Sequence, residues 1–195
     1  MDAVPTLVFV RHGETDWNVE GRLQGQRDVP LNANGRVQAR RNGEVIRQRI
    51  PEALAFDFIA SPLSRTRETM EILRAAMGLE PKGYAIDPRV LEITFGELEG
   101  LTYGDIELRE PGWSQARHAD KWNYLPPGGE SYHMLSVRII GWLQTVTRPS
   151  VVVAHGGVGR VLRAHLLGLD KLTSVSEDFP QDRVFLWQDG KGEWI

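Results

Sequence analysis

The chain alternates short apolar runs with longer amphipathic stretches. Thr6–Val10 is a β-branched and aromatic run of the kind that fills a buried strand. Leu31-Asn32-Ala33-Asn34-Gly35 carries a turn signal into a helix that runs to about Ile50. Pro51 ends that helix, because the residue before a proline is pushed out of the α region. Ala55–Ala60 reads as a second strand. Ser61-Pro62 opens a helix to about Met77, with Gly78 placed to close it. Gly83–Asp87 reads as a third strand. Leu135, Ile139, Trp142 and Val146 recur at close to the helical period and predict a helix over Ser131–Thr147. Ser150–Ala154 is a further strand, followed by a helix from about Gly157 to Leu167. Arg183–Gln188 and Glu193–Ile195 flank Asp189-Gly190-Lys191-Gly192, the pattern of a terminal hairpin.

Strands that alternate with helices predict an α/β fold, a mostly parallel open sheet with helices on both faces. Leu101–Pro127 interrupts the rhythm with Trp113, Trp122, several charges and Pro126-Pro127-Gly128-Gly129, and reads as a lid-like excursion over one end of the sheet. With no repeat, low-complexity tract or flexible linker, residues 1–195 read as one domain. The apolar run near the N-terminus has no basic segment before it and is too short for a signal or a membrane span.

Composition narrows the chemistry. Hydrophobic residues at 41% and charged residues at 25% suit a soluble globular core. A net charge of −3 lacks the basic excess of a nucleic-acid binder. The absence of cysteine excludes disulfides, thiolate metal sites and thiol nucleophiles, and fits a reducing, cytoplasmic compartment.

Ligands of open α/β sheets bind beyond the carboxyl ends of the strands. Arg11-His12-Gly13-Glu14-Thr15 follows the first strand, Ser61-Pro62-Leu63-Ser64-Arg65 the second, and His155-Gly156-Gly157 the strand at Ser150–Ala154. Cations gathered at one edge of an acidic chain call for an anion with several oxygens, and guanidinium matches phosphate best. Gly13, Gly156 and Gly157 sit where a sharp turn or close backbone approach is needed, and the last two open a helix whose amides favour an anion. One histidine, held neutral, can attack phosphorus. The other, kept cationic, can stabilise the oxygens on which charge collects. Glu92, in the loop Leu91–Gly96 with apolar flanks that would raise a carboxyl pKa, is the candidate acid for the leaving oxygen.

Arg11-His12-Gly13-Glu14-Thr15, with Asn18, Gly21–Gly25, SPLSRTRET, LEITFGELEG, PPGGES and VVVAHGGVGR in order, resembles the histidine phosphatase superfamily in its phosphoglycerate mutase-like branch, from Val8 to about Leu167. The resemblance implies a phosphoglycerate mutase-like fold without metal or other cofactor. It makes His12 the phosphorylated nucleophile, with Arg11, Arg65 and His155 as clamps on the phosphoryl oxygens. Glu92 would be the proton donor that later activates water. Asn18, Gln24 and the Gly156 amide would be phosphate or leaving-group contacts. Leu98 departs from the pattern, since related phosphatases often carry an aromatic there, which leaves the local pocket wall open.

The other basic features read as structural. His118, His133 and His165 match no motif. Arg36, Arg40, Arg41, Arg47 and Arg49 with Glu44 read as a solvated helix face, and Trp113 and Trp122 as lid packing. Three functions share the motifs: a phosphatase for a small phosphate ester, a cofactor-dependent phosphoglycerate mutase, and a silent phospholigand-binding protein. The short excursion favours access of water and hence the phosphatase, while the completeness of the constellation disfavours the silent reading. No membrane or nucleic-acid partner is expected. The terminal strand pair, at a sheet edge, could support a homodimer.

Overall fold

The structure, a computed structural model, describes residues 4–195. Met1–Ala3, the start of the stretch read as lacking a basic segment, lie outside the described residues. The strands are β1 (Leu7–Arg11), β2 (Asp57–Ala60), β3 (Ala85–Ile86), β4 (Ser150–Ala154), β5 (Val184–Gln188) and β6 (Lys191–Trp194). The helices are α1 (Asp16–Val19), α2 (Ala33–Arg49), α3 (Ser64–Ala76), α4 (Tyr103–Arg109), α5 (Trp113–Ala119), α6 (Tyr132–Leu143), α7 (Gly156–Leu167) and α8 (Lys171–Ser176). One six-stranded sheet runs in the order β3-β2-β4-β1-β5-β6. β1 to β4 are mutually parallel where they pair, and β5 and β6 are antiparallel.

Strand side chains alternate between two faces. Leu7, Phe9, Val152, Ala154 and Phe185 pack with Leu135, Ile139, Trp142, Val158 and Leu162 of α6 and α7 on one face. Val8, Val10, Val151, Val153 and Val184 pack with Ile46, Met70 and Leu73 of α2 and α3 on the other. The mostly parallel, two-faced sheet of the sequence reading is therefore present, with an antiparallel hairpin on one margin.

The element ends differ from expectation for local reasons. β2 starts at Asp57 because a 3₁₀ turn takes up Pro51–Ala55. α3 starts at Ser64, since the Ser61 amide still donates to the Val153 carbonyl and prolongs β2 pairing. The third strand shrinks to two residues because the Tyr84 amide turns back onto Lys82. α6 ends at Leu143, before Val146. The hairpin turns on Asp189 and Gly190 alone, both at positive φ (50° and 75°), the backbone that lets two residues join twisted strands. The excursion is helical, with α4 and α5 joined to Leu23, Leu98, Ile106 and Trp113 in a small core of its own. The arginine face of α2 is exposed, as read, with Arg36 paired to Glu68 across to α3.

Candidate active site

β2, β4 and β1 are neighbours, so their carboxyl ends bring Ser61, His155 and His12 together at one edge. The His12 amide donates to the Ala154 carbonyl at 2.9 Å, so β1 pairing carries right up to this residue. The next turn is held by backbone packing. A Cβ on Gly13 would lie 2.2 Å from the Gly35 carbonyl oxygen, and one on Gly35 would lie 2.2 Å from that of Glu14. Gly13 is thus required by the close approach of the neighbouring α2 terminus.

His12 is buried, and its contacts fix its tautomer. Nδ1 lies 2.8 Å from the Gly13 carbonyl, which can only accept, so Nδ1 carries the hydrogen. Arg65 Nε donates to His12 Nε2 at 3.2 Å, so Nε2 presents a lone pair. Burial, then Arg65 and Arg11, push the imidazole well below its ordinary pKa and keep it neutral. Arg65 is fully buried and also donates to the carbonyls of Arg27 (2.6 Å) and Gly25 (2.8 Å), tying the loop at residues 25–27 to His12. Burial lowers its pKa to about 10, which leaves it cationic at neutral pH. Arg11 donates to the Phe179 carbonyl at 2.7 Å, while its Nε is buried without a partner.

Two expectations need correction. His155 is not on the cavity wall. It packs edge-on to His12 with ring centroids 5.3 Å apart, and its Nε2 lies 2.7 Å from Ser61 Oγ, which draws the ring back behind His12. Nor is it cationic here: burial, then Arg65, His12 and Arg11, hold it well below the ordinary pKa. The positive charge is supplied by arginine. Glu92 does not sit among apolar groups. Its carboxylate accepts from the amide of Gly157 at the start of α7 (3.1 Å) and from that of its own neighbour Ile93 (3.0 Å). A Cβ on Gly157 would meet Glu92 Oε1 at 2.4 Å, so glycine there lets the carboxylate approach.

These groups surround a cavity of about 160 Å³. Arg11, His12, Asn18, Gln24, Arg65, Glu92 and Gly156 all line it, so the structure gathers seven of the eight sequence-derived residues and leaves His155 behind the wall. The Asn18 amide oxygen is taken by the Thr15 amide and hydroxyl and by Gln181 Nε2. Gln24 Oε1 is buried and unpaired. Leu98 lies in the small core under the excursion, away from the wall, which is aromatic at Phe95, Tyr103 and Tyr132 instead. Trp113 and Trp122 are buried packing residues, and His118, His133 and His165 are exposed off the cavity.

The rim was not read from the sequence. Arg22, Arg117, Lys121 and Arg160 also line the cavity, so six cations face one carboxylate, Glu92. Burial, then Arg117 and Arg160, push Lys121 down to about 8. Arg160 could have been found, since it lies four residues after Gly156 on one helix face. Arg117 and Lys121 carry the same spacing in a segment with no other signal.

A neutral buried histidine beneath a cationic pocket, at the strand ends of an α/β sheet, defines a phosphoryl-handling enzyme. The chain belongs to the histidine phosphatase superfamily (branch 1), whose family model matches residues 7–180. It is 36% identical over 169 residues to "Probable phosphoglycerate mutase GpmB" of Enterobacter sp. (strain 638), covering 84% of this chain and 75% of that one. It is 35% identical over 176 residues to the glucosyl-3-phosphoglycerate phosphatase of Mycobacterium tuberculosis (strain ATCC 25618 / H37Rv), with the same coverage. A solved structure of mycobacterial glucosyl-3-phosphoglycerate phosphatase with VO3 superposes with a TM-score of 0.80 at 31% identity, covering 98% of this chain and 96% of that one.

Proposed function

We propose that this chain, acting as one domain, is a metal-independent phosphatase that hydrolyses a phosphomonoester bearing a second anionic group, through a phosphohistidine on His12. The observation that carries the reading is the tautomer of His12, with an Nε2 lone pair facing a pocket of arginines. A phosphoryl oxygen takes over the Arg65 Nε donor and frees that lone pair. Nε2 then attacks phosphorus, and the bond to the leaving oxygen breaks. Glu92, which takes up a proton as the anionic ester enters the pocket, passes that proton to the leaving oxygen. The resulting carboxylate takes a proton from water, the hydroxide attacks phosphorus, and the N–P bond breaks to release phosphate. Arg11, Arg65 and the Gly156 amide stabilise the equatorial oxygens, Gln24 contacts the phosphoryl or leaving group, and Asn18 shapes the wall. His155 backs the nucleophile, and its protonation is favoured once a dianion offsets the arginines. The arginines do the work of a metal, and their field disfavours a further cation.

The rim supports the substrate class. Arg117 and Lys121 from the excursion join Arg160 with no carboxylate but Glu92 on the lining. Such a cluster is costly unless an anion fills it. Phosphoglycerates and their glucosyl derivatives place a carboxylate near the phosphoester, in keeping with the relatives' names. The mutase reading keeps one specific support, the 36% identity to the mutase-named relative. A cytoplasmic setting is proposed from the cysteine-free composition. Among the described residues no helix is long and apolar enough to cross a membrane. A homodimer through β6, the outermost strand on its side, is proposed with it.

The test is a phosphorus NMR time course in EDTA with 3-phosphoglycerate, a trace of 2,3-bisphosphoglycerate and an aryl phosphate. Inorganic phosphate without 2-phosphoglycerate is the expected result. Accumulating 2-phosphoglycerate with little free phosphate makes the chain a mutase, and no turnover of any substrate overturns both readings.

A further inference from the structure

The segment between α8 and β5 belongs to none of the motifs, yet it touches the active site at three successive alternate residues. The Glu177 carbonyl accepts from Arg160 Nε at 2.7 Å. The Phe179 carbonyl accepts from Arg11 Nη1 at 2.7 Å. Gln181 Nε2 donates to the His12 carbonyl at 3.0 Å and to Asn18 Oδ1 at 3.1 Å. The segment is itself anchored. Asn42 Nδ2 of α2 donates to the Gln181 carbonyl at 2.9 Å, and the Phe179 ring packs edge-on to Phe9 of β1, centroids 5.3 Å apart. A Cβ on Gly159 of α7 would lie 2.6 Å from the same ring, so the fit against α7 is tight.

The chemistry of these contacts is one-sided. The backbone carbonyls at 177 and 179 hold guanidinium groups that would otherwise repel one another across the pocket. At 181 the sign reverses, because both partners are oxygens and the side chain must donate twice. A primary amide does so with one NH₂ group; a carboxylate cannot. We propose that Gln181 is a positioning residue for the nucleophile, acting through the His12 backbone and Asn18, and that residues 177–181 form a strap fixing Arg11 and Arg160 in the same frame. The inference rests on the reading of His12 as nucleophile. Through Asn18 the same amide reaches Thr15, whose amide and hydroxyl donate to Asn18 Oδ1, so Gln181 ties the His12 carbonyl to the start of α1. A nucleophile displaced by about 1 Å costs on the order of 100-fold in rate.

The experiment compares wild type with Q181L, Q181E and, as control, His12→Asn, by kcat and KM for an aryl phosphate from pH 5 to 8 and by melting temperature. Q181L keeps size without hydrogen bonds, and is expected to lose about tenfold or more in kcat with KM changed less than about threefold. Q181E sets a carboxylate against two oxygens and is expected to lose more at pH 8. Its kcat relative to wild type then rises as the pH falls and the new acid gains a proton to donate. That pH-dependent ratio is a signature that loosening of the fold would not give. Wild-type kcat in both variants, or a Q181E defect of equal size at every pH, overturns the positioning role. Activity surviving in His12→Asn would instead overturn the phosphohistidine reading beneath it, so the two failures are distinct. Should Q181E not fold, Q181L carries the test through its kcat loss at unchanged KM.

Discussion

The floor of the pocket rests on three neighbouring parallel strands, whereas Arg117 and Lys121 of its rim come from the excursion, whose two seven-residue helices have a small core of their own. On the floor, His12 and Arg65 are buried and each is held by more than one internal hydrogen bond. On the rim, Lys121 and Arg117 lie over aromatic faces, with Lys121 Nζ 6.0 Å from the Tyr132 ring centre and Arg117 5.4 Å from that of Tyr103. The floor is built to hold one geometry and the rim to present charge. Under the proposed function, the bond-making step falls to the floor and the choice of substrate to the rim.

Removing the proposed nucleophile tests the floor most severely. His12→Asn is expected to lower kcat on the order of 10⁴-fold for every phosphate ester, large or small. Rapid-quench labelling should find no acid-labile phosphoenzyme in it. A loss confined to phosphoglycerates would erase the division between floor and rim.

Gly157→Ala probes the join between α7 and the acid. The added Cβ would come within 2.4 Å of Glu92 Oε1 and must displace a carboxylate at the end of a flexible side chain, which the fold tolerates. kcat is expected to fall on the order of 100-fold while the melting temperature stays within a few degrees. The effect should be largest for poor leaving groups, which need the proton most, so a series of aryl phosphates of rising leaving-group pKa is the measurement.

The rim answers in KM. Lys121→Gln is expected to raise KM for 3-phosphoglycerate about tenfold, the value of one charge-assisted contact, and to leave an aryl phosphate nearly unchanged. With Lys121 pushed down to about 8, wild-type KM for the phosphoglycerate should climb above that pH as the ammonium is lost, and Lys121→Arg should flatten the climb. An equal rise for both substrates would mean that Lys121 serves the phosphoryl group and not a second anion.

The same division explains what the sequence made legible. The floor lies where strands end, and strand ends show as apolar runs such as SVVVA with abrupt chemistry after them, so β1, β2, β4 and the residues that follow could be read directly. The inner sense of the floor could not be. Whether His155 faces the cavity depends on its contact with Ser61, 94 positions away, and nothing local announces it. The rim and the strap depend on long-range packing throughout. α5 begins after Gly112 at φ 87° and gathers Trp113 onto Leu23 and Leu98, an arrangement without a period to read. Gln181 has no motif at all, and only its reach to His12 and Asn18 marks it.

Stability against pH gives the finest separation of the two regions. His12 and His155 are held neutral by burial and by the arginines, so their folded pKa values lie below the ordinary 6.5. Below pH 6.5 the unfolded chain binds protons at these positions that the folded chain refuses. Stability therefore falls as acid is added, by up to about 1.4 kcal/mol per pH unit for each histidine. The loss starts near 6.5 and continues for as long as the folded imidazoles stay neutral. Lys121 obeys the same linkage in another window: its folded value of about 8 lies below the ordinary 10.5, so its burden is full below pH 8 and is relieved between 8 and 10.5. Urea midpoints should thus show a His12→Asn, His155→Asn double variant losing less stability than wild type between pH 6.5 and 5. Lys121→Met should be more stable than wild type at pH 7 and lose that advantage toward pH 10. A phosphoglycerate, by neutralising the rim, should stabilise wild type more than Lys121→Met at pH 7, because only the wild type has the buried ammonium for it to relieve.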